Sequence, residues 1–217
     1  HEVMCRNSGW LAAAAAAKYR EWLAEQEFSG LGDNIRRSWE LHAVYVPELT
    51  FDIAAEAERL AAVMRTTDCV NIFLSEGAGV STIVEEMLER GQEPKRDAFG
   101  HVKLDTIDPG AWFAKRFAKL VGAEKTMVQK SGYFSRSAAA NEQDLALIHA
   151  CADLAVDAAL RGESGVVGQD EDAGDEIRVC EFSRVAGGKA FDTSVPWFGE
   201  MLEAIGQPMG EPVPVHE

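Results

Sequence analysis

Three short segments of the 217-residue sequence combine charged and polar side chains in arrangements that suit an anionic or hydroxylated ligand. The first covers residues 2–10 and carries Arg6 in a turn that leads into a predicted helix. Backbone N–H groups at a helix start bear partial positive charge, and an arginine can bind a phosphate through two N–H groups. The segment therefore predicts a docking point for a phosphate or a sugar hydroxyl. The alternative is that Arg6 is a surface residue that pairs with a nearby acid.

The second segment, residues 75–79, follows a predicted buried strand and contains Glu76 between small residues. Open α/β sheets bind their ligands beyond the carboxyl ends of their strands, and a carboxylate there can accept a hydrogen bond from a sugar hydroxyl. An equally simple interpretation is that Gly77 and Gly79 are turn residues and that Glu76 caps the next helix. The spacing alone leaves both interpretations open.

The third segment, residues 130–137, lies between a predicted strand and a long predicted helix. It holds one lysine, one arginine, one tyrosine and three serines within eight residues. This density of hydrogen-bond donors suits a phosphate ester, whose several oxygens all need partners. A plain polar loop remains the alternative.

The composition limits which ligands and partners these segments could serve. A formal net charge of −15 disfavours nucleic acid and anionic membranes as partners, because both would be repelled at long range. No run of apolar residues is long enough for a membrane span, and the four cysteines show neither pairing nor zinc-ligand spacing, which favours a cytoplasmic protein. P-loop, serine-hydrolase and zincin motifs are absent from the sequence.

Alternating apolar runs and amphipathic helices predict the elements that position the three segments. Strands are expected over residues 41–46, 69–74, 125–129, 165–168 and 177–182. Helices are expected over residues 10–26, 51–66, 80–90, 111–121, 141–161 and 197–205. This order predicts an α/β fold with an open, mostly parallel sheet and flanking helices. Residues 207–217, which contain three prolines, are expected to form an extended or disordered tail.

The three segments, in this order, resemble the phosphofructokinase family, and the resemblance covers almost all of residues 1–210. The stretches HAVYVPELTFDI, VNIFLSEGAGV, DAFGHVKLD, PGAWFAKRF and QKSGYFSRSAAAN look most like the pyrophosphate-dependent branch. The resemblance implies that residues 1–206 are the sugar-phosphate-binding (acceptor) half of a phosphofructokinase-like fold, which is incomplete here and corresponds to the carboxy-terminal half. The start at His1 instead of methionine also favours a fragment.

The resemblance further implies which residues bind fructose 6-phosphate. Glu76 would accept a hydrogen bond from a sugar hydroxyl, residues 133–136 would bind the 6-phosphate, and Lys130 would add a phosphate contact that could reach a neighbouring subunit. Cys5 stands where the family has glycine, which would cost about 1 kcal/mol or more if that backbone had a positive φ. The implied contacts are Met4, Cys5, Arg6, Glu76, Tyr133, Phe134, Ser135, Arg136 and Lys130.

The family's Gly-Gly-Asp donor loop and its Pro-Lys-Thr-x-Asp-Asn-Asp segment do not occur in the sequence. No catalytic base and no metal ligand is therefore assigned, and this chain alone is expected to catalyse little. For the intact protein the resemblance implies a glycolytic transferase, a homo-oligomer that phosphorylates fructose 6-phosphate with pyrophosphate and Mg²⁺. An ATP-dependent phosphofructokinase and a non-catalytic sugar-phosphate-binding or regulatory module remain as alternatives.

Overall fold

The computed structural model describes residues 1–6, 8–28, 33–98, 100–185 and 189–213. The chain forms two compact units, His1–Tyr133 with Ala190–Glu217, and Phe134–Lys189. Five side chains lie outside the described part, those of Asp33, Asn34, Tyr133, Ser135 and Arg136.

The described part of the chain contains the following elements. The strands are β1 (Glu2–Val3), β2 (Ala43–Tyr45), β3 (Leu49–Thr50), β4 (Ile72–Ser75), β5 (Val166–Asp170), β6 (Glu176–Cys180) and β7 (Glu211–Pro212). The helices are α1 (Trp10–Glu25), α2 (Asp33–Trp39), α3 (Ile53–Thr67), α4 (Val80–Glu89), α5 (Leu104–Ile107), α6 (Pro109–Val121), α7 (Gly132–Ser137), α8 (Glu142–Arg161) and α9 (Pro196–Ala204).

A parallel sheet with the strand order β1-β4-β2 forms the centre of the first unit. Side chains alternate along its strands, so Val44 and Phe73 pack with α1 and α9 on one face. Tyr45 and Leu74 pack on the opposite face with α3 and α6. Helices cover both faces, which explains why these strands are apolar on both sides. The predicted α/β fold with a parallel sheet and flanking helices is confirmed.

All six predicted helices are present, with ends that differ by no more than two residues. The strand predicted over residues 125–129 is wrong, because only Lys130 forms a single parallel bridge to Glu2. Strand β1 has just two residues, so it offers little ladder for another strand to join. The loop predicted over residues 131–137 is mostly the short helix α7, and α2 and α5 were also not predicted.

Residues 207–213 belong to the first unit and are joined there to β2 and β3. The buried Gln207 side chain donates to the Val44 carbonyl and accepts from the Val44 N–H, both at 2.8 Å. Strand β7 then pairs antiparallel with β3. Residues 214–217 lie outside the described residues, and the boundary proposed after residue 206 stays a prediction.

The second unit consists of α8 and an antiparallel hairpin of β5 and β6. A capping box between Asn141 and Asp144 begins α8, and Gly162, with φ of 74°, ends it. The buried Asp170 carboxylate accepts two hydrogen bonds from Arg184, at 2.7 and 2.8 Å, and this pairing fixes the turn of the hairpin.

Buried His42 in the first unit predicts a loss of stability in mild acid. Its Nδ1 accepts a hydrogen bond from the Asn71 N–H at 3.0 Å, and burial, aided by the charge of Arg59, lowers its pKa from 6.5 to about 4. The unfolded chain takes up this proton at higher pH than the folded chain, so the stability contributed by neutral His42 is complete above pH 6.5 and is lost as the pH falls from 6.5 towards 4. We expect about 2 kcal/mol of difference between pH 7 and pH 4.5.

Urea unfolding followed by tryptophan fluorescence at both pH values measures this loss, because all five tryptophans lie in the first unit. His42→Gln should remove most of the pH dependence, whereas His149→Gln, at an exposed position of α8, should keep it. Equal pH dependence in the wild type and His42→Gln would rule out His42 as the source.

Candidate functional site

Two of the three predicted segments meet at the carboxyl edge of the parallel sheet. Val3, at the end of β1, pairs with Ser75, at the end of the neighbouring β4. Glu76, which follows Ser75 in the chain, donates its backbone N–H to the Val3 carbonyl at 3.0 Å. The chain therefore brings residues 4–6 and Glu76 to one edge of the sheet, where open α/β folds bind their ligands.

The backbone of residues 5 and 6 is held by the turn that follows β4. Ser75, which is fully buried, donates its hydroxyl to the Cys5 carbonyl at 2.8 Å. A Cβ added to Gly77 would lie 2.0 Å from the Arg6 carbonyl oxygen. The glycine is thus needed for close approach of two backbone segments, and the sequence had suggested only a turn residue.

Cys5 does not adopt a positive φ, since the described non-glycine residues with positive φ are Asp68, Asp108 and Asp175. The backbone strain considered for a cysteine in place of the family's glycine is therefore not present. The Cys5 side chain is partly exposed, as is the Met4 side chain before it.

The Arg6 side chain is about half exposed and forms an ion pair with Asp97, with Nη1 and Oδ2 3.2 Å apart. Asp97 belongs to a small hairpin in which Arg96 forms an antiparallel bridge to Val102. Pairing with a nearby acid was the alternative interpretation of Arg6, and the pair is present. Asp97 was not selected from the sequence, because 91 residues separate it from Arg6 and no local pattern links them.

The helix terminus next to Arg6 already has an anionic partner. The Gly9 N–H at the N-cap of α1 donates to both carboxylate oxygens of Glu48, at 2.9 and 3.0 Å. Glu48 also accepts from the Phe191 N–H at 2.8 Å. The Gly9 N–H is therefore occupied by Glu48 and is not available for the phosphate that was predicted to bind at this helix start. Arg6 remains as the basic group of this segment.

Lys130 lies beside β1 and contacts two acids. Its Nζ donates to Asp108 Oδ1 at 2.8 Å and lies 3.6 Å from Glu2 Oε1. The hydrogen bond with Asp108 raises the pKa of Lys130, and the same bond lowers the pKa of Asp108. The buried Glu2 carboxylate also accepts from the Gly110 N–H at 2.8 Å, which anchors the start of α6. Lys130 as a phosphate contact stays a prediction.

The third segment forms α7, which begins at Gly132 next to Met4. A Cβ on Gly132 would lie 2.3 Å from Met4 Cε, so these two residues pack tightly in the first unit. Phe134 is 70% exposed. The side chains of Tyr133, Ser135 and Arg136 lie outside the described part of the structure, so their proposed contacts with a phosphate stay predictions.

Among the described residues, no group of three or more His, Cys, Asp or Glu side chains could hold a metal ion. Within the same residues, no helix is long and apolar enough to cross a membrane.

Comparison with known proteins places the chain among enzymes of one kind. It is 56% identical over 215 residues to the pyrophosphate–fructose 6-phosphate 1-phosphotransferase of Methylomonas methanica, covering 99% of this chain and 53% of that protein. The enzyme of the same name from Propionibacterium freudenreichii subsp. shermanii is 58% identical over 208 residues, with 96% and 52% covered. No family model matches the sequence.

A solved structure supports the same relationship at the level of the fold. The pyrophosphate-dependent phosphofructokinase from Marinobacter aquaeolei aligns with a TM-score of 0.52 and 19% identity, covering 100% of this chain and 49% of that one. This chain thus spans about half the length of the curated relatives that it matches. The alignment covers 99% of this chain, which is therefore related to the pyrophosphate-dependent phosphofructokinases. The resemblance to the phosphofructokinase family is confirmed.

Proposed function

We propose that the protein containing this sequence transfers a phosphoryl group from pyrophosphate to the 1-hydroxyl of fructose 6-phosphate, giving fructose 1,6-bisphosphate. The chain described here would bind the sugar phosphate. The observation that carries the proposal is the 56% identity, over 99% of the chain, to proteins named for this reaction.

The geometry of the first unit supports a sugar-phosphate site at the carboxyl edge of the sheet. Arg6 has a half-exposed guanidinium and a backbone that lies against the turn that carries Glu76, a combination that suits an ester with both charge and hydroxyl groups. Tyr133, Phe134, Ser135 and Arg136 would bind the 6-phosphate. Met4 and Cys5 would contact the sugar, and Lys130 would release Asp108 to reach a phosphate.

Pyrophosphate and Mg²⁺ enter the proposal through the relatives. Phosphoryl transfer needs a donor clamp, a metal ion and a base that act together, and the metal would neutralise charge that develops on the transferring group. The described residues offer no cluster for a metal ion, so we assign no Mg²⁺ ligand to this chain. We further propose that the intact protein is a cytoplasmic homo-oligomer of glycolysis without nucleic-acid or membrane partners.

An assay of the full-length gene product with fructose 6-phosphate and Mg²⁺ tests the proposed reaction. Fructose 1,6-bisphosphate should form with pyrophosphate, and the reverse reaction with phosphate should release pyrophosphate. ATP should support less than about 1% of this rate, since donor groups that fit one phosphoryl donor exclude the other by several kcal/mol.

The same assay separates the two alternatives. Turnover with ATP and none with pyrophosphate would identify an ATP-dependent phosphofructokinase. Absence of turnover with either donor, together with calorimetric binding of fructose 6-phosphate, would identify a sugar-phosphate-binding or regulatory module.

A further inference from the structure

An ion pair between Asp97 and Arg6 joins the hairpin that carries Asp97 to the candidate site, and the surroundings of Asp97 hold this acid in place. Asp97 uses its two carboxylate oxygens differently. Oδ1 accepts a hydrogen bond from the His101 N–H at 3.0 Å, while Oδ2 faces Arg6 Nη1 at 3.2 Å. Oδ1 therefore fixes the acid within its own turn, and Oδ2 faces both Arg6 and His101 Nδ1, which lies 3.5 Å away.

The turn that holds Asp97 is itself well connected. The Asp97 N–H donates to the His101 carbonyl at 2.8 Å, and the Gly100 N–H donates to the Asp97 carbonyl at 3.1 Å. Arg96 Nη1 reaches across the tip to the Gly100 carbonyl at 2.8 Å. These bonds restrict the Asp97 side chain before it meets Arg6, so the contact costs little further entropy on the acid's side.

Arg6 is consequently held at both ends. Its backbone lies against Gly77 and follows the Cys5 carbonyl that Ser75 binds, and its guanidinium lies against Asp97. A guanidinium has five N–H donors, and the contact with Asp97 runs through Nη1. The Arg6 side chain is about half exposed, so its remaining N–H groups can meet a ligand.

We propose that Asp97 is a positioning residue for Arg6 in the sugar-phosphate site, so that the 95–103 hairpin is part of that site's support. The proposal rests on the proposed binding of fructose 6-phosphate at Arg6. An unsupported arginine must be immobilised when the ligand binds, and the ion pair reduces this cost in advance. Asp97 also lowers the local positive charge, an opposite effect on an anionic ligand, but the His101 N–H already holds Asp97 in its turn, so we expect the gain in order to be the larger effect.

Calorimetric titration of the intact protein with fructose 6-phosphate tests this role through a double-mutant cycle. Asp97→Asn keeps an oxygen for the His101 N–H and removes the negative charge facing Arg6, and we expect it to weaken binding about three- to tenfold. Arg6→Ala should weaken binding about tenfold or more. In the Arg6→Ala background, Asp97→Asn should have no further effect, because its influence acts through Arg6.

Asp105→Asn is the matched control, since it makes the same change of charge at an exposed position on α5, near the hairpin, and should leave binding unchanged. Tryptophan fluorescence should give equal stability for all variants, which separates positioning from damage to the fold. Unchanged or tighter binding by Asp97→Asn, with weaker binding by Arg6→Ala, would overturn the positioning role alone. Absence of fructose 6-phosphate binding by the wild type would overturn the proposed function and this inference together.

Discussion

Gly77→Ala is expected to weaken the proposed binding of fructose 6-phosphate by the intact protein about tenfold and to destabilise the first unit by about 2 kcal/mol. The added Cβ would lie 2.0 Å from the Arg6 carbonyl oxygen and 3.1 Å from the Arg6 carbonyl carbon. Both contacts are with backbone, so no side chain can rotate away to relieve them. The residue 75–79 turn and the residue 4–6 segment must separate, which moves Arg6 away from Asp97.

Calorimetry with fructose 6-phosphate and urea unfolding followed by tryptophan fluorescence measure the two effects. Gly199→Ala is the control. Gly199 lies in helix α9, and the nearest atom to its added Cβ would be Met209 Cε at 3.9 Å, an ordinary contact. That change should leave affinity unchanged and raise stability by about 0.5 kcal/mol, since alanine favours helices over glycine. Wild-type affinity in Gly77→Ala would show that this close approach does not position the site.

The helices were predictable because their apolar positions repeat every three to four residues over nine residues or more. The parallel strands were predictable because both of their faces are buried, as the separate packing of Tyr45 and Val44 shows. Helix α7 was not predicted because six residues make fewer than two helical turns, too few for a helical repeat of apolar residues to be visible. The strand expected over residues 125–129 is reduced to a single bridge at Lys130 because its pairing partner, β1, has only two residues.

The candidate site was only partly predictable, since sequence spacing identifies groups within one turn and not their partners. Arg6 and Glu76 could be brought together because each follows a strand, and parallel strands end at one edge. Asp97 lies 91 residues from Arg6, and Glu48 lies 39 residues from Gly9. Such pairs depend on the path of loops, which local propensity does not determine.

A buried polar network beneath the sheet was also not visible in the sequence. The Tyr45 hydroxyl donates to Glu56 Oε2 at 2.8 Å, and Arg59 binds both oxygens of Glu56, at 2.7 and 2.9 Å. Arg59 further reaches the Ile205 carbonyl at 3.4 Å, which connects α3 to the end of α9. Burial, followed by the negative charge of Glu56, raises the pKa of Tyr45 well above its ordinary value, so the hydroxyl remains a donor.

Glu56→Ala is expected to destabilise the first unit by about 3 to 5 kcal/mol, the cost of leaving a buried charge without its partner. The Arg59 guanidinium would lose its carboxylate and the Tyr45 hydroxyl its acceptor, while both remain largely buried. Urea unfolding at pH 7 followed by tryptophan fluorescence measures the loss. Glu58→Ala, at an exposed position of the same helix, should change stability by no more than about 0.5 kcal/mol. Similar stabilities for the two variants would mean that Arg59 finds water or another acceptor, and that Glu56 does not hold α3 to the sheet.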